Sequence, residues 1–318
     1  MEIVLTNGEV KTISSTSNEQ DKDLFRACLG VGAALGVVTS LTLQMEDESS
    51  FKTGGSLVFA CTNKVTAKPF LEKALLFLIK MVLPLPSVSM EIVITSDYTV
   101  ICTFMFYDTF DGDPEEFVQQ LRDDAKDCNV QCVADSVTSH GSYFAAASSL
   151  WGVIAAMKGE PLVRLDHCIG TTEAPSADVL DFVIEKWVGE FLTMAPLSLV
   201  EIRTLGGAGI ESNNLPSGNA KCLFFADMIV SYDGSTVKPE DKSSISKEVH
   251  DIISEAKKIP GLQTDFSGTH CQPDDLVDTL PTGDVIFGSK ENLDFVLDIK
   301  KTNDPENRFC FHPFTHLM

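Results

Sequence analysis

The sequence predicts an α+β fold in which helices cover one face of an antiparallel sheet. Apolar residues alternate from Val88 to Ile94, a turn follows, and Val100 to Tyr107 returns as a paired strand. Asp113-Pro114-Glu115 then begins a helix. A second helix–strand–strand–helix set runs from Ser176, a candidate N-cap, to Ala256. Strand pairs that alternate with helices in this way are typical of a two-layer sandwich.

The composition indicates a folded protein with an acidic surface. The chain has 318 residues, of which 44% are hydrophobic, and this length suits roughly two domains of about 150 residues each. Lys and Arg number 24 against 46 Asp and Glu, which gives a formal charge of -22. Such a field repels phosphate backbones and anionic lipids, so nucleic acid and membrane surfaces are excluded as partners.

The sequence contains neither a leader nor a membrane span by pattern. Its first residues lack a basic region followed by an apolar core, so no signal peptide is predicted. The apolar runs 29–43 and 70–83 are interrupted by glycines or charges. Both fall short of the roughly 20 apolar residues that a spanning helix needs. We therefore expect a soluble protein, although residues ahead of this sequence would be the place for a leader.

The cysteines predict buried thiols rather than disulfides or a metal site. There are nine of them, an odd number, and several lie in apolar strings, as Cys61 and Cys102 do. Cys128 and Cys132 are close together, but no Cys or His follows at the spacing of a zinc site.

The first 43 residues have a pattern of their own. Segments 2–5 and 9–13 flank Asn7-Gly8, the strongest short signal for a β-hairpin. Asp23 to Cys28 is predicted to be a short helix, and a glycine-rich stretch follows it. Val37 to Leu43 alternates and is β-branched, which predicts a strand.

Further elements are predicted along the rest of the chain. Pro69 is placed at a helix start, with Phe70, Ala74, Phe77 and Met81 on one stripe. The other predicted elements are strands at 199–205 and 223–231, a helix through Ile245 to Ala256, a short element at 274–280, and a helix at 291–300.

Three stretches together resemble the berberine-bridge-like branch of the vanillyl-alcohol-oxidase superfamily. The first comprises Val4 to Val10, Asp23 to Ala27 and Gly36 to Leu43, a hairpin, an Asp-Leu-Phe helix and a loop into Gly-Val-Val-Thr. The second is Leu205-Gly206-Gly207-Ala208. The third is Ile286-Phe287-Gly288-Ser289 followed by a helix and Asn303 to Phe309, similar to the closing signature of the family. The order and spacing of these stretches carry the resemblance.

The resemblance implies a division into three segments. Residues 1–46 would be the C-terminal part of an FAD-binding domain of the PCMH type, and residues 47–265 an α+β substrate domain. Residues 266–318 would return to the flavin domain. In the family a longer stretch precedes the first segment and carries the diphosphate-binding loop, and no Gly-Gly-His of that loop occurs in this sequence.

The glycine-rich stretch is open to two interpretations. Glycines let backbone N–H groups approach a ligand closely, so the stretch can cradle a cofactor; it can equally form a tight crossover from helix to strand. The resemblance favours contact with FAD. The residues that it implies as cofactor contacts are Gly30, Gly32, Gly36, Val37, Val38 and His270. His270 and Lys290 occupy positions where the family usually has asparagine.

For the other residues that could carry chemistry, a structural role is favoured over a functional one. His270 is a candidate base with Tyr232 or Glu201 as helper, but a lone histidine beside a loop is more often exposed. The pair His167-Cys168 more often contains a buried structural cysteine than a nucleophile. Pro313 prevents the helix that would align His312 with His316 on a metal. Acidic pairs at 111 and 113 and at 274 and 275 are most simply solvated loop charges.

The resemblance implies an FAD-dependent oxidoreductase. A hydride from a small organic substrate would pass to the flavin N5, and oxygen would reoxidise the cofactor. The antiparallel sheet would form a roof over the isoalloxazine ring. The sequence identifies neither the catalytic residue nor the substrate. The alternative is a catalytically inactive remnant, or the product of a truncated gene, that does not bind FAD by itself.

Overall fold

The protein forms two antiparallel sheets in a computed structural model that describes residues 1–31, 34–43, 47–146, 148, 162–195, 197–204, 222–233, 238–264 and 287–310. The small sheet has the order β2-β1-β3, and the large one has the order β11-β8-β10-β9-β5-β6-β4-β7. The strands are β1 Glu2–Val4, β2 Val10–Thr12, β3 Val37–Ser40, β4 Phe51–Ala60, β5 Val88–Thr95, β6 Thr99–Tyr107, β7 Gln131–Asp135, β8 Leu162–Thr171, β9 Leu199–Thr204, β10 Phe224–Asp233 and β11 Gln263–Thr264.

Within the described residues six α-helices accompany the sheets, and two of them continue into a π-helical turn. The helices are α1 Glu19–Val31, α2 Lys64–Phe77, α3 Pro114–Asp127, α4 Ala177–Phe182, α5 Pro239–Ala256 and α6 Lys290–Asn303, with π-helical turns at Leu78–Val82 and Val183–Val188 and 3-10 turns at Glu48–Ser50 and Phe191–Thr193. Across the described residues, no helix is both long enough and apolar enough to pass through a bilayer.

The large sheet is built from one unit used twice. The first unit runs β4-α2-β5-β6-α3-β7 and the second runs β8-α4-β9-β10-α5-β11. Each is a split β-α-β of the ferredoxin-like type. In the sheet the halves read β7-β4-β6-β5 and β9-β10-β8-β11, so that β5 and β9 meet at the centre as equivalent strands. The helix–strand–strand–helix units expected on both sides of the centre are thus present.

Helices cover one face of this sheet, as predicted. Alternate residues of the strands, such as Ile92, Phe104 and Met228, face the helices and are 0–2% exposed. Burial of this apolar surface at about 25 cal/mol per Å² is the main force that holds the layers together. The opposite face carries the remaining residues of the same strands, because side chains alternate along a strand.

Two sequence-based assignments in this region need correction. Helix α2 begins at Lys64, five residues before Pro69. The reason is a capping box between Asn63 and Thr66, which satisfies the first backbone N–H groups of the helix at that point. Pro69 therefore lies inside the helix. Met81, placed on the buried stripe, is 39% exposed because it follows the change to π-helical geometry at Leu78.

Two long strands of the large sheet were not predicted from the sequence. Strand β4 was not predicted, since Gly54 and Gly55 weaken the strand pattern. Packing requires both glycines: a Cβ at Gly55 would lie 1.7 Å from the carbonyl oxygen of Ser136, and one at Gly54 would lie 2.8 Å from that of Phe104. Strand β8 was missed as well, although it pairs with β10 over ten residues.

The hairpin at the start of the chain is confirmed, and its helix is longer than predicted. Gly8 adopts a φ of +82° in the turn, where Asn7 Oδ1 accepts the backbone N–H of Glu9 at 2.9 Å. Helix α1 begins earlier than Asp23 because Asn18 Oδ1 accepts the backbone N–H of Asp21 at 3.1 Å.

A fully buried lysine joins the last described helix to the first segment. Lys300 and Asp304 are both 0% exposed and form an ion pair of 2.5 Å. Lys300 Nζ also donates to the carbonyl oxygens of Ala34 at 2.6 Å and Phe309 at 3.0 Å. Burial alone would raise the pKa of Asp304, but hydrogen bonds from Lys300 and from two backbone N–H groups hold that pKa below its usual value.

Further contacts extend the same junction. Thr6 Oγ1 donates to the carbonyl of Asn303 at 2.9 Å. The guanidinium of Arg26 lies 4.5 Å from the ring centroid of Phe295 and donates to Asn292 at 3.4 Å. Residues 1–43 therefore pack against 287–310. The division at residues 46, 265 and 266 stays a prediction.

We predict that Lys300→Met destabilises the protein by about 3–5 kcal/mol, because it leaves the Asp304 carboxylate buried without its counter-charge. The measurement is the free energy of unfolding in urea at pH 7. Lys301→Met, at an exposed position on the same helix, is the control and should change stability little. In the double variant Lys300→Met/Asp304→Asn part of the loss should be regained. Equal stability of the two single variants would contradict the role given to Lys300.

Candidate functional site

The face of the large sheet away from the helices carries a row of five side chains at its centre, four of them polar. Ser56, Thr103, Glu91, Arg203 and Phe225 are successive cross-strand neighbours on β4, β6, β5, β9 and β10. They lie on the face away from the helices, because their strand neighbours point into the core. Ser56 Oγ and Thr103 Oγ1 form a hydrogen bond of 3.0 Å. Polar groups in a row across a half-buried face are suited to binding a ligand.

Arg203 is the centre of this row. Its Nη2 donates to Glu201 Oε2 at 2.5 Å, and its Nε lies 3.7 Å from Glu91 Oε1. The guanidinium is also 5.4 Å from the ring centroid of Phe225. The three charged side chains are between 22% and 35% exposed, so solvent reaches them in part. One cation is thus shared by two carboxylates.

The duplication of the fold explains why two glutamates lie there. Strands β5 and β9 pair with Ile92 opposite Ile202, so Glu91 faces Arg203 and Glu201 faces Val93. The sequences Met90-Glu91-Ile92-Val93 and Val200-Glu201-Ile202-Arg203 occupy equivalent places. The two glutamates are therefore related by an approximate two-fold axis, and the exchange of valine for arginine makes them chemically different.

The electrostatics of the two glutamates follow from this asymmetry. Burial raises the pKa of Glu91, the nearby Arg203 cation opposes this effect, and the charge of Glu201 adds to it. The net result is a pKa above the usual glutamate range. Glu91 is thus a carboxyl that takes up a proton more readily than an exposed glutamate, which is a property of groups that exchange protons with ligands.

A second row lies beside the first and is more deeply buried. Asp227 is opposite Glu201 on one side and Cys168 on the other. The Cys168 thiol donates to Asp227 Oδ1 at 3.3 Å, and both residues are 2–3% exposed. Cys168 is therefore a buried structural thiol, as the favoured reading of the His167-Cys168 pair held. Asp227, Glu91 and Arg203 were not among the predicted site residues, although strand alternation places all three on the face away from the helices.

The described residues of the predicted cofactor segment do not form a single loop, since they belong to the end of α1, to the connection after it and to β3. Gly30 is in the last turn of α1. Gly36 is buried against β1: a Cβ there would lie 2.6 Å from the carbonyl oxygen of Val4 and 2.9 Å from Ile3 Cγ1. Packing on the neighbouring strand therefore accounts for this glycine.

The other predicted cofactor contacts differ in their accessibility. Val37 is 53% exposed on β3, whereas Val38 packs in part against the small core. Gly32 and His270 lie outside the described residues. So do the side chain of Tyr232, the Gly-Gly-Ala stretch at 206–208, the element at 274–280 with its acidic pair, and the histidines at 312 and 316.

Asn292, which was not among the predicted site residues, organises the closing signature. Lys290 begins α6 and bonds to Asp294 on an exposed surface. Asn292 instead donates to the carbonyl of Phe287 at 2.9 Å and accepts from Arg26.

The acidic residue Asp113 has a structural role, because it caps α3 by accepting the backbone N–H of Glu115. Within the described part of the chain no group of three or more His, Cys, Asp or Glu could hold a metal ion.

Comparison with solved structures identifies proteins that share this fold. Over 98% of this chain, a xylooligosaccharide oxidase from Myceliophthora thermophila in complex with xylobiose superposes with a TM-score of 0.67 and 17% identity. The oxidoreductase of the terminal step of gilvocarcin biosynthesis matches over 98% with a TM-score of 0.70 and 14% identity. A berberine-bridge-like protein of Physcomitrella patens matches over 99% with 0.67 and 14%. This chain has the fold of the berberine-bridge-like flavin oxidases.

The match covers part of each neighbour. The chain spans 64% of the xylooligosaccharide oxidase, 68% of the gilvocarcin enzyme and 65% of the moss protein. No family model matches the sequence. No curated protein matches it either. The neighbours therefore establish the fold of this chain, and the resemblance found in its sequence motifs pointed to the same fold.

The described residues do not form a complete flavin site. A diphosphate is usually held by backbone N–H groups with cationic side chains nearby. Near the predicted segment Arg26 is occupied by Asn292 and Phe295, and the space beside Gly36 is filled by β1.

We predict that Gly36→Ala destabilises the chain in the absence of any flavin, by about 1–3 kcal/mol, since the new methyl group would collide with β1. Thermal unfolding followed by circular dichroism measures the effect. Gly141→Ala is the control, because a Cβ at Gly141 meets nothing within 4 Å. If Gly36→Ala were as stable as that control, packing would not explain the glycine and cofactor contact would be favoured.

We predict that Glu91 lowers stability as the pH rises. Because its folded-state pKa is raised, its contribution is fully present below the unfolded pKa and is lost as the pH rises through the folded value. Glu91→Gln should therefore gain stability relative to the wild type between pH 4 and pH 8. Urea unfolding at several pH values measures this, with exposed Glu72→Gln as the control. The groups that face Glu91 are Arg203, Glu201 and Thr103. A difference that does not vary with pH would contradict this prediction.

Proposed function

We propose that this chain is the substrate-binding part of an FAD-dependent oxidoreductase, and that its small organic substrate lies against the face of the large sheet that points away from the helices. The observation that carries the proposal is the row from Ser56 to Phe225 with Arg203 at its centre. The fold supports it, since neighbours with this fold are a chitooligosaccharide oxidase and a xylooligosaccharide oxidase with xylobiose bound.

In this function the sheet residues would bind and orient the substrate. Arg203 would donate hydrogen bonds while it stays bonded to Glu201, and Glu91 would accept a hydrogen bond or a proton. Bound FAD would supply the oxidising power, with molecular oxygen as its acceptor. Gly30, Gly32, Gly36, Val37, Val38 and His270 stay proposed cofactor contacts.

The second candidate is a catalytically inactive chain that does not bind FAD by itself. One observation favours it: the small sheet ends at β3, which pairs with no second strand among the described residues. Beside this edge Val37, Leu41 and Leu43 are 53%, 59% and 74% exposed. Apolar side chains at an open sheet edge are typical of surfaces that another polypeptide segment covers.

We predict that the purified chain, after incubation with FAD and gel filtration, absorbs near about 450 nm, as an oxidised flavin does. Val37→Asp should retain about tenfold less FAD than the wild type, because a carboxylate at this proposed cofactor contact would repel the anionic cofactor. Val65→Asp is the control at another exposed valine, on α2. A colourless protein would reject the first candidate and support the second. Equal FAD retention by both variants would remove Val37 from the proposed site.

A further inference from the structure

We infer that β3 is a docking strand, and that its partner is an extended, basic segment of a different polypeptide that adds to the small sheet as a further strand. The segment would carry apolar side chains at alternate positions and a lysine or arginine between them. This partner lies beyond the proposed function, which concerns a cofactor and a small molecule. Three features of the small sheet point to it: an unprotected edge, an apolar row that ends there, and a carboxylate beside that row.

The edge of β3 lacks the protection that the opposite edge of the same sheet has. β2 carries Lys11, whose ammonium group lies 2.9 Å from Asp21 Oδ1 on α1, and a lysine on an edge strand hinders the addition of another strand. β3 has the sequence Val-Val-Thr-Ser, with neither a charge nor a proline. Among the described residues it pairs with β1 alone. The outer N–H and C=O groups of β3 are therefore available to an added strand.

An apolar row crosses the outer face of the small sheet and ends at this edge. Val4 of β1 lies opposite Val10 of β2 on one side and opposite Val37 of β3 on the other. Val10 and Val37 are 59% and 53% exposed, whereas Ile3, the neighbour of Val4, is fully buried on the other face. An apolar residue opposite Val37 on an added strand would extend the row and remove part of it from water.

A second row on the same face supplies a carboxylate. Glu2, two residues before Val4, lies opposite Thr12 on β2 and Ser40 on β3. Thr39 Oγ1 donates to Glu2 Oε1 at 2.5 Å, which ties this carboxylate to β3. Within the described part of the chain Glu2 forms no ion pair. A lysine or arginine of the added strand beside Thr39 would supply the missing cation.

The chain that follows β3 extends the pattern. Leu41 and Leu43 are 59% and 74% exposed and follow Val37 at even spacing, and the exposed acidic residues Asp47 and Glu48 come next. All strand pairs of the small sheet are antiparallel. An antiparallel partner would therefore have the pattern apolar-x-apolar-x-basic-x-apolar, with its last residue opposite Val37 and its first opposite Leu43.

The net charge decides between a second copy of this chain and a different polypeptide. Two copies would each bring a formal charge of -22, and β3 against β3 would also bring two Glu2 carboxylates to one edge. Like charges repel, so this field disfavours self-association and attracts a basic segment. The partner is accordingly a different chain.

The test compares two labelled peptides with blocked ends that differ in one residue: Leu-Thr-Val-Thr-Lys-Thr-Val and Leu-Thr-Val-Thr-Glu-Thr-Val. Fluorescence anisotropy measures their binding to the full chain, without flavin because Val37 is also a proposed cofactor contact. We expect the lysine peptide to bind at least about tenfold more tightly, since it gains a charge-assisted hydrogen bond to Glu2. Amide hydrogen exchange in β3 should slow when this peptide is bound. Equal binding of the two peptides, or unchanged exchange in β3, would overturn the inference.

Variants locate the binding at the edge of β3. Val37→Lys should weaken binding of the lysine peptide by about tenfold or more, because it places a charge on the docking strand. Val10→Lys adds the same charge on β2 and should stay within about threefold. Glu2→Gln should reduce the preference for lysine over glutamate to about twofold, since the amide keeps an acceptor but loses the charge. Glu9→Gln, at an exposed position in the first hairpin, is its control.

The same variants separate a different chain from a second copy. Sedimentation of the wild type should give the mass of a single chain. A wild-type dimer that Val37→Lys dissociates would overturn the choice of a different polypeptide. Equal lysine preference in Glu2→Gln and Glu9→Gln would contradict the role of Glu2, and equal affinity of Val37→Lys and Val10→Lys would contradict docking at β3. Circular dichroism of each variant confirms that a loss of binding is not a loss of fold.

Discussion

The buried pair of Lys300 and Asp304 is the interaction on which the arrangement of the two chain ends depends. A lysine that is fully removed from water is tolerated because three oxygens surround its ammonium group, those of Asp304, Ala34 and Phe309. These partners come from the C-cap of the last described helix, from the segment before β3 and from the chain beyond the helix. One charge thus joins sequence segments that are 266 residues apart, and it does so with a geometry that simple apolar packing would not specify.

The large sheet shows how duplication prepares a site. Two equivalent strands meet at its centre, so each residue of β5 has a counterpart on β9. Perfect symmetry would place two glutamates and two valines there. Arg203 in place of one valine breaks the symmetry, and the two carboxyls acquire different partners. Glu201 receives a direct hydrogen bond, while Glu91 is left at 3.7 Å with a raised pKa. A half-buried face thereby gains a directional pair of donor and acceptor.

Much of the fold followed from local signals in the sequence. Asn7-Gly8 fixed the first hairpin, Asp113-Pro114 and Ser176 fixed helix starts, and alternation fixed β5 and β6. The motifs of the resemblance pointed to the same family fold as the structural neighbours do. Strands β4 and β8 escaped because glycines and charged residues within them obscure the strand pattern, and glycine at β4 is required by contacts from distant segments. Such contacts have no signature in a local window.

The candidate site divides in the same way. The sequence by itself determined the acidic character of the chain, the two-layer class and the residues that alternate along each strand. It could not determine which strands are neighbours, because strand order depends on long-range pairing. The tertiary structure alone brought Glu91 opposite Arg203, 112 positions later in the sequence, and placed β1 against Gly36. The hydrogen bonds, burial and charge that define a site arise from these neighbours, and so they emerge when the chain folds.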